Sequence, residues 1–449
     1  MGRRSSLESY ARPLGRGGAA GFWMMAALMM AVVACGGGGA GDDDGDAAAG
    51  EEWVFETTSE GDLTTVRTVA GSMWGGTARL EEQLSIGVDQ GEQAYMFGRL
   101  SGVASYQERV YVLDSSVPAV RVYDAQGRYS GDIGSEGDGP GEFRSPDGLL
   151  VGDDGRIYVR AMRQGRITIF ENDGTFVDTW SLEAGFVIRP AAFVMTADGT
   201  VYSPGRIGPR PTEMRGPMMM QMGMIPRGPA DGGAAPILQP TFDYQPPSFT
   251  REQRSASEVR IMMMPVPFAA QIVWALAPSG ALIAGVGNEY SFDITTPGGS
   301  VTRVVMDQEP IAIAGRERDW HIEQVTARMR GGDPEWMWTG PEMATVKPAF
   351  DQLLPDHSGR VWVGRSGPGI ENPDCEEDIE TGLWDPACWT NSRLYDVFDL
   401  EGSYLGPVEV PAGFRLDEQA WIKGDVVLTA LEDEDGVITV KKYRLVVPE

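Results

Sequence analysis

A repeat with an offset of 47 residues constrains this chain more than any other feature of its sequence. The tripeptide Val-Tyr-Val at 110–112 recurs as Ile-Tyr-Val at 157–159, and Gly127 recurs as Gly174. Between these landmarks, stretches that alternate apolar and polar residues are separated by turns such as Asp-Asp-Gly at 153–155. Such turns between alternating stretches are typical of antiparallel hairpins. Each unit is therefore predicted to form four short antiparallel strands.

Weaker copies of this unit follow along the chain. They are marked by the segments 198–202, 278–283, 356–363 and 421–445. The last copy lacks a partner strand, and the segment 63–69 is a spare strand whose pairing there would remove an exposed sheet edge. We therefore predict an all-β fold: a six-bladed β-propeller of four-stranded antiparallel blades, closed by the N-terminal strand and interrupted by loop insertions.

Two stretches carry a resemblance to known repeats. Gly-Asp-Gly-Pro-Gly-Glu-Phe at 137–143, followed by Gly-Arg-Ile-Tyr-Val at 155–159, resembles an NHL-type repeat. The stretches 347–363 and 395–402 are similar to the six-bladed β-propeller lipoproteins of bacterial envelopes. The resemblance covers roughly 60–446 and implies the fold, but it implies little about activity. The glycines of 134–141 come without the lysine and the helix of a phosphate-binding loop, so they are predicted to connect two blades.

The N-terminus carries the pattern of an exported lipoprotein. Residues 1–34 combine a basic lead with an apolar core of about 14 residues, which is shorter than the roughly 20 that span a bilayer. Val-Val-Ala-Cys at 32–35 resembles the lipobox of bacterial lipoproteins, which implies that Cys35 is acylated and becomes the first residue of the mature chain. An ordinary signal peptide with a chance cysteine is the alternative.

The N-terminal tether indicates where the protein is located, and its net charge limits the classes of partner it can bind. Residues 36–50 include nothing larger than aspartate, so 35–52 is predicted to be a disordered tether and 53–449 the propeller. A formal net charge of −28 opposes binding to phosphate backbones, which argues against nucleic acid as a partner. We predict a lipoprotein of the bacterial cell envelope, on the periplasmic side or at the outer membrane, with membrane contact through lipidated Cys35.

Three segments interrupt the repeat, and loops on a rigid scaffold commonly carry binding residues. They lie at about 204–268, 309–345 and 364–394. The first contains two groups of methionines, at 214–224 and 262–264. They are interpreted as part of a contact surface or a mobile loop, and binding of Cu(I) is the alternative. The second is predicted to contain a short amphipathic helix at 315–330.

The third interruption contains Cys375 and Cys388. These are the only cysteines besides Cys35, and in an exported chain they are predicted to form a disulfide. A metal pair is the alternative, but nearby histidines are missing from the sequence. Trp384 and Trp389 of this loop would serve either as packing or as a rigid contact surface.

Most catalytic constellations are missing from the sequence. The chain has two histidines, His321 and His357, too few for a three-histidine zinc centre, and it has no Gly-x-Ser-x-Gly motif. His357 lies in a predicted hairpin turn, where a solvated side chain is expected. Asp147 begins a predicted innermost strand and is the one candidate ligand for a calcium ion in a central channel. A side-chain hydrogen bond within its own turn is the alternative.

These patterns favour a non-catalytic function. We predict a lipid-anchored β-propeller that acts as a binding or interaction module for a protein or a glycan of the envelope. No catalytic residue is predicted, and calcium is the one candidate cofactor. The alternative is a calcium-dependent lactonase or hydrolase whose site lies in the central channel, as in some other six-bladed propellers.

Overall fold

The structure, a computed structural model, describes residues 52–182, 193–207, 221–227, 234–254, 259–331, 333–377, 384–385, 387–417, 419–433 and 435–448. The predicted signal peptide, Cys35 and nearly all of the predicted tether lie outside these residues. The same is true of Met214, Met218, Met219 and Met220. Among the described helices, none is long and apolar enough to cross a membrane.

Three strands precede the repeats. They are β1 (Val54–Glu60), β2 (Leu63–Ala70) and β3 (Ala78–Ile86), and a 3-10 helix at Gln93–Tyr95 follows them. β1 and β2 form an antiparallel hairpin. Their partners in the rest of the sheet structure come from much later in the chain.

The first two repeats form two four-stranded antiparallel sheets, as predicted. The first sheet contains β4 (Leu100–Tyr106), β5 (Arg109–Asp114), β6 (Ala119–Tyr123) and β7 (Tyr129–Ile133). The connection contains β8 (Ser135–Glu136) and β9 (Glu142–Phe143). The second sheet contains β10 (Gly148–Val151), β11 (Ile157–Ala161), β12 (Arg166–Phe170) and β13 (Phe176–Ser181), with a 3-10 turn at Met162–Gln164. The repeated segments 110–112 and 157–159 lie in the second strand of each sheet.

The third sheet extends into the predicted insertion 204–268. It contains β14 (Val194–Met195), β15 (Val201–Ile207), β16 (Gln221–Arg227) and β17 (Ile237–Leu238). The predicted boundary at 204 is therefore too early, because Pro204 lies inside β15. Proline and glycine hide the alternation in these strands: Gly205 pairs with Gly223, and Pro226 pairs with Tyr202. A separate hairpin follows, with strands β18 (Ser248–Arg254) and β19 (Val259–Pro265).

Two further sheets flank the predicted helix. The fourth contains β20 (Ile272–Leu276), β21 (Leu282–Val286), β22 (Ser291–Thr295) and β23 (Val301–Met306). The helix α1 spans Gly315–Arg330, which confirms the predicted bounds. The fifth sheet contains β24 (Gln352–Pro355), β25 (Arg360–Glu371), β28 (Trp389–Asp399) and β29 (Tyr404–Glu409), and the short β26 (Glu376–Glu377) and β27 (Trp384–Asp385) pair in its loop.

The last sheet shows which N-terminal strand is its partner. It contains β30 (Trp421–Lys423), β31 (Val426–Glu432) and β32 (Ile438–Val446), and β3 pairs antiparallel with β32 as the fourth strand. The choice of 63–69 as this strand is wrong, because β2 instead pairs in parallel with β23 at the outer edge of the fourth sheet. Both candidate strands are short alternating runs, and their pattern does not specify which edge each one joins.

Apolar clusters join consecutive sheets. Val159 and Ile157 of the second sheet pack with Tyr111 and Leu113 of the first, and comparable clusters lie between the later neighbours. A further cluster joins Leu428 and Val440 of the sixth sheet to Val110 and Val112 of the first. Since both faces of a sheet are covered in this way, its second strand is apolar almost throughout; every residue of β5 after Arg109 is buried.

Aspartate side chains organise many of the turns between the third and fourth strands. The Asp124 Oδ1 atom accepts hydrogen bonds from the backbone N–H groups of Gln126 and Arg128, both at 2.9 Å. Asp399 makes the same pair of bonds in the fifth sheet. Gly127 has φ = 74°, in the left-handed region that favours glycine. The Asp-x-x-Gly pattern therefore marks the turn for a structural reason.

The two faces of the molecule are unequal. The innermost strands β4, β10, β14, β20, β24 and β30 begin on one face, which we call the mouth face, and end on the other, which we call the turn face. Connections on the turn face are short, apart from the one between β16 and β17. The described insertions at 239–254, 307–331 and 372–377 all follow strands that end on the mouth face.

Candidate functional site at the channel mouth

A cavity that several sheets line opens on the mouth face. Its volume is about 650 Å³, within the roughly 300–1,000 Å³ of typical ligand sites. The beginnings of β4, β10, β24 and β30 form its wall, so four sheets contribute to it. Its lining includes Arg99, Asp147, Arg163, Gln352, His357 and Trp421. We call this cavity the channel mouth.

Asp147 lies in the channel mouth, but its carboxylate is already engaged. The Arg160 Nε–H donates to Asp147 Oδ1 at 2.7 Å, and the Met162 backbone N–H donates to Asp147 Oδ2 at 3.1 Å. Arg160 is fully buried, whereas 19% of the Asp147 side chain is exposed. Asp147 therefore neutralises a buried guanidinium and fixes the turn that follows β11. Within the described part of the chain, no group of three or more His, Cys, Asp or Glu side chains is arranged to hold a metal ion.

Arg160 extends this arrangement into the third sheet. Its guanidinium carbon lies 5.2 Å from the centre of the Phe193 ring, and its Nη1 lies 3.4 Å from the Ser203 hydroxyl. The sequence contains a signal for this pair, since Arg160 interrupts an otherwise apolar strand. A charge in such a strand requires a buried partner.

A buried carboxylate, Asp114, supports the part of the mouth that the neighbouring first sheet forms. Asp114, at the end of β5, accepts hydrogen bonds from the backbone N–H groups of Gly98 and Arg99, both at 3.2 Å, and from Ser116 at 2.9 Å. Its Oδ2 lies 3.6 Å from Nη1 of the buried Arg121. The loop that carries Arg99 is thereby fixed to the first sheet.

His357 stands further down the channel. Its ring stacks at a tilt on Trp421, with centroids 5.8 Å apart, and its backbone N–H donates to the Ile422 carbonyl at 2.9 Å. Crowding by the channel walls lowers the pKa of the imidazole, and the nearby Asp356 carboxylate opposes that effect. The expected turn position of His357 is confirmed; the sequence did not predict that the turn borders the channel.

The channel is bridged beyond His357. On the turn face, the Lys423 Nζ lies 2.6 Å from Asp153 Oδ1, which links the sixth sheet to the second. This ammonium group holds the pKa of the Asp153 carboxyl below its usual value. The turn face has a smaller cavity of about 430 Å³, lined in part by Asp153 and His357.

His321, the other histidine, lies on α1 away from the mouth. Its ring packs edge-on against Phe268, with centroids 4.7 Å apart, and burial lowers its pKa. One helical turn earlier, the Glu317 carboxylate lies 2.9 Å from the Lys347 ammonium, and both side chains are almost completely buried. Lys347 also donates to the Gly367 carbonyl at 2.9 Å. This cluster fastens α1 to the fifth sheet.

The interruption that follows the third sheet and the one that contains α1 form one small core. Phe249 and Val266 of the first pack with Val325 and Met329 of α1. Of the methionines, Met224 is buried in the third sheet, while Met263 of β19 is 69% exposed. The described methionines of the first group, Met222 and Met224 in β16, thus lie in a different sheet from those of the second group in β19.

The third interruption extends the fifth sheet. β25 and β28 remain paired as far as Glu371 and Trp389. Just beyond that pair, Cys375 and Cys388 are joined by a disulfide, with Cα atoms 4.9 Å apart. Cys388 and Trp389 lie at the base of the loop, so the disulfide closes it where the strands separate.

Comparison with known proteins supports the architecture. Residues 91–202 match the model of the family DUF5128, described as 6-bladed beta-propeller. This stretch contains the first two sheets and the beginning of the third, the part in which the repeat is clearest. The chain is a β-propeller.

Solved structures that resemble this propeller have very different sequences. A protein of Bacteroides fragilis described as exported is 11% identical, with a TM-score of 0.40 and coverage of 82% of this chain and 95% of the other. Virginiamycin B lyase of Staphylococcus aureus is 10% identical, with a TM-score of 0.31 and coverage of 82% and 100%. Regucalcin of Agrobacterium tumefaciens, a calcium-binding protein, is 11% identical, with a TM-score of 0.32 and coverage of 83% and 97%. No curated protein matches the sequence significantly.

Proposed function

We propose that this propeller is a non-catalytic binding module of the bacterial envelope, anchored through acylated Cys35, which takes a protein segment or a glycan into the channel mouth. The observation that carries the proposal is that this cavity of about 650 Å³ opens on the face on which the described insertions emerge. Loops on a rigid scaffold are the usual place for binding residues.

The position of the first described strand fits such an anchor. β1 begins opposite Ala70 at the end of β2, and Thr68 of β2 pairs with Met306 at the end of β23. Because β23 ends on the mouth face, the tether would leave the fold on that side, at the outer edge of the fourth sheet. The mouth would then remain within reach of envelope components close to the membrane.

A photo-crosslinking experiment in intact cells tests the binding face. A photoreactive amino acid at Gln419, which lines the mouth, is expected to give discrete adducts. The matched position is Glu401, an exposed residue of a turn on the opposite face. Adducts from Glu401 alone, or equal adducts from both positions, would rule out the mouth as the binding site.

The anchor has a separate test. Mass spectrometry of the mature protein is expected to find a diacylglyceryl modification on Cys35 as the N-terminal residue, and Cys35→Ser is expected to move the protein from the membrane to the soluble fraction. An unmodified Cys35 in the mature chain would refute the anchor and leave the binding site untouched.

A further inference from the structure

Two exposed arginines lie at the rim of the channel mouth. Arg99 precedes β4, and Arg163 lies in the 3-10 turn after β11; both line the cavity and both are exposed. Neither guanidinium makes an ion pair or a side-chain hydrogen bond with any residue that the structure describes. They come from adjacent sheets and border the same cavity.

The backbone of each arginine is held in place although its side chain is exposed. The Arg99 N–H donates to Asp114, and the Arg99 carbonyl accepts from the Ser115 N–H at 2.8 Å. For Arg163, the Met162 N–H donates to Asp147, and the Gly165 N–H donates back to the Met162 carbonyl at 3.0 Å. The mouth therefore presents two fixed points from which guanidinium groups reach solvent.

The carboxylates near these arginines do not cancel their charge. Asp147 is paired with Arg160, and Asp114 with Arg121. The remaining carboxylate of the lining is Asp417, an exposed side chain whose Oδ1 accepts from the Gln419 N–H at 2.9 Å. Counted with Arg160, the described side chains of this region carry three guanidinium groups against the two carboxylates of Asp147 and Asp417, a formal charge of +1 in a chain whose formal net charge is −28. A local field of the opposite sign to the whole molecule favours anionic ligands at that place.

Neutral groups complete the site. Ser145 lines the cavity with φ = 46°, a left-handed conformation that costs free energy in a residue other than glycine and is concentrated at functional sites. Trp421 supplies an aromatic surface deeper in the same cavity. Guanidinium groups bind carboxylates and phosphates through paired hydrogen bonds, and an aromatic ring packs against the body of a ligand.

We infer that the channel mouth selects anionic ligands, in which a carboxylate or a phosphate binds Arg99 and Arg163 while the rest of the ligand lies toward Trp421. This inference rests on the proposed function and specifies its ligand class: a glycan or a protein segment whose bound unit carries an oxyanion. His357 contributes no charge near neutral pH, because burial lowers its pKa.

The test uses pairs of probes that differ in charge alone. Trigalacturonate is compared with its methyl ester, and glucose 6-phosphate with glucose, by isothermal titration or ligand-observed NMR on the full-length protein in detergent. At least one anion is expected to bind at least about tenfold more tightly than its neutral counterpart, as charge-assisted hydrogen bonds commonly give. The pair that shows the preference distinguishes a carboxylate from a phosphate site. Absence of any preference up to millimolar concentration would overturn the inference.

Variants locate the effect. Arg99→Gln and Arg163→Gln are each expected to weaken the preferred anion about tenfold or more and to leave its neutral counterpart unchanged. Arg109→Gln removes the same charge from the turn face, where β5 begins, and is expected to change nothing. An equal loss of anion affinity in all three variants would mean that the preference arises from the overall charge of the protein, and it would refute the site. If Gln419 gives crosslinks but the anionic and neutral probes bind equally well, the anion selectivity would be refuted and the proposed binding face would be retained.

Discussion

The guanidinium Nε of Arg365 lies 3.0 Å from Oδ2 of Asp396, in a pair that links β25 to β28. The first propeller repeat has the same pair with the charges exchanged, since Asp114 and Arg121 occupy the equivalent positions of β5 and β6. Arg365 lies two residues after Val363, which pairs with Asp396. In the same way, Asp114 lies two residues after Val112, which pairs with Arg121. The position thus accepts an ion pair of either polarity, although the second sheet has the uncharged Ala161 and Thr168 there.

Removal of one charge, and then exchange of both, tests whether this position accepts either polarity. Asp396 also accepts hydrogen bonds from the Tyr290 and Tyr404 hydroxyl groups, at 2.9 and 2.8 Å. Asp396→Ala would leave three buried donors without a partner and is expected to lower the free energy of unfolding by about 3–5 kcal/mol. Denaturant unfolding measures this loss. The exposed pair of Arg303 and Asp293 is the control, and Asp293→Ala is expected to cost at most about 1 kcal/mol.

The double variant with Arg365→Asp and Asp396→Arg separates polarity from pairing. It is expected to regain part of the stability that either single change removes, because the first sheet folds with that arrangement. Recovery is expected to be incomplete, since the two tyrosine hydroxyl groups then face a guanidinium instead of an acceptor. A double variant less stable than both single ones would contradict the equivalence of the two sites.

The attachment of α1 depends on a glycine of β25. A Cβ atom at Gly369 would lie 2.5 Å from Oε2 of the buried Glu317, so Gly369→Ala is expected to displace Glu317 from Lys347. The result is a loss of stability of about 1–3 kcal/mol and faster hydrogen exchange in α1. Gly315→Ala, at the start of the same helix, meets nothing within 4 Å and is the matched control. Equal behaviour of the two variants would mean that α1 does not depend on this contact.

The two histidines predict a decline of stability in mild acid. Desolvation lowers the pKa of both histidines in the folded protein, within the packing of α1 for His321 and between the channel walls for His357. A group whose pKa is lower in the folded state stabilises the fold above its unfolded pKa, near 6.5, and loses that contribution as the pH falls toward the folded value. The free energy of unfolding is therefore expected to fall below pH 6.5. With only two imidazole signals, NMR titration measures both pKa values directly; a value above 6.5 for either residue would contradict the prediction.

The sequence alone predicts some of the sheets better than others. The repeat at 110 and 157 sufficed for the sheets, because buried second strands are apolar in every copy and Asp-x-x-Gly turns have a local cause. The third sheet was harder to recognise, since Pro204 and Pro226 interrupt its pattern. The assignment of β3 and not β2 to the last sheet depends on packing between segments far apart in the chain.

The candidate site was less accessible to prediction for a related reason. Asp147 could be placed at the beginning of an innermost strand, but its partner Arg160 is recognisable only as a charge inside the apolar strand β11. Arg99 and Arg163 lie in loops of ordinary composition, and nothing local in the sequence indicates that they border one cavity. A site assembled from several repeats is a property of the propeller geometry, to which no single repeat points.

Removal of the disulfide is expected to have a modest effect. Cys375 and Cys388 close a loop of 13 residues, for which the constraint on the unfolded chain is worth about 3 kcal/mol or less. The double variant Cys375→Ala, Cys388→Ala is therefore expected to fold, with a lower midpoint of thermal unfolding. Because the paired residues of β25 and β28 include neither cysteine, the far-ultraviolet circular dichroism is expected to be unchanged. Loss of the β-sheet signal at 25 °C would show that the bridge supports the whole fifth sheet.

The occupation of Asp147 leads to the prediction that separates binding from calcium-dependent hydrolysis. Both carboxylate oxygens serve the protein itself, one toward Arg160 and the other toward the Met162 N–H, so millimolar calcium or a chelator is expected to leave the midpoint of thermal unfolding unchanged. Asp147→Asn is expected to destabilise the fold, because Arg160 would lose its anionic partner while it remains fully buried. Arg160→Met together with Asp147→Asn is expected to recover part of that loss. A rise of the midpoint with calcium that Asp147→Asn abolishes would instead support a metal ligand at this position, and with it the hydrolase alternative.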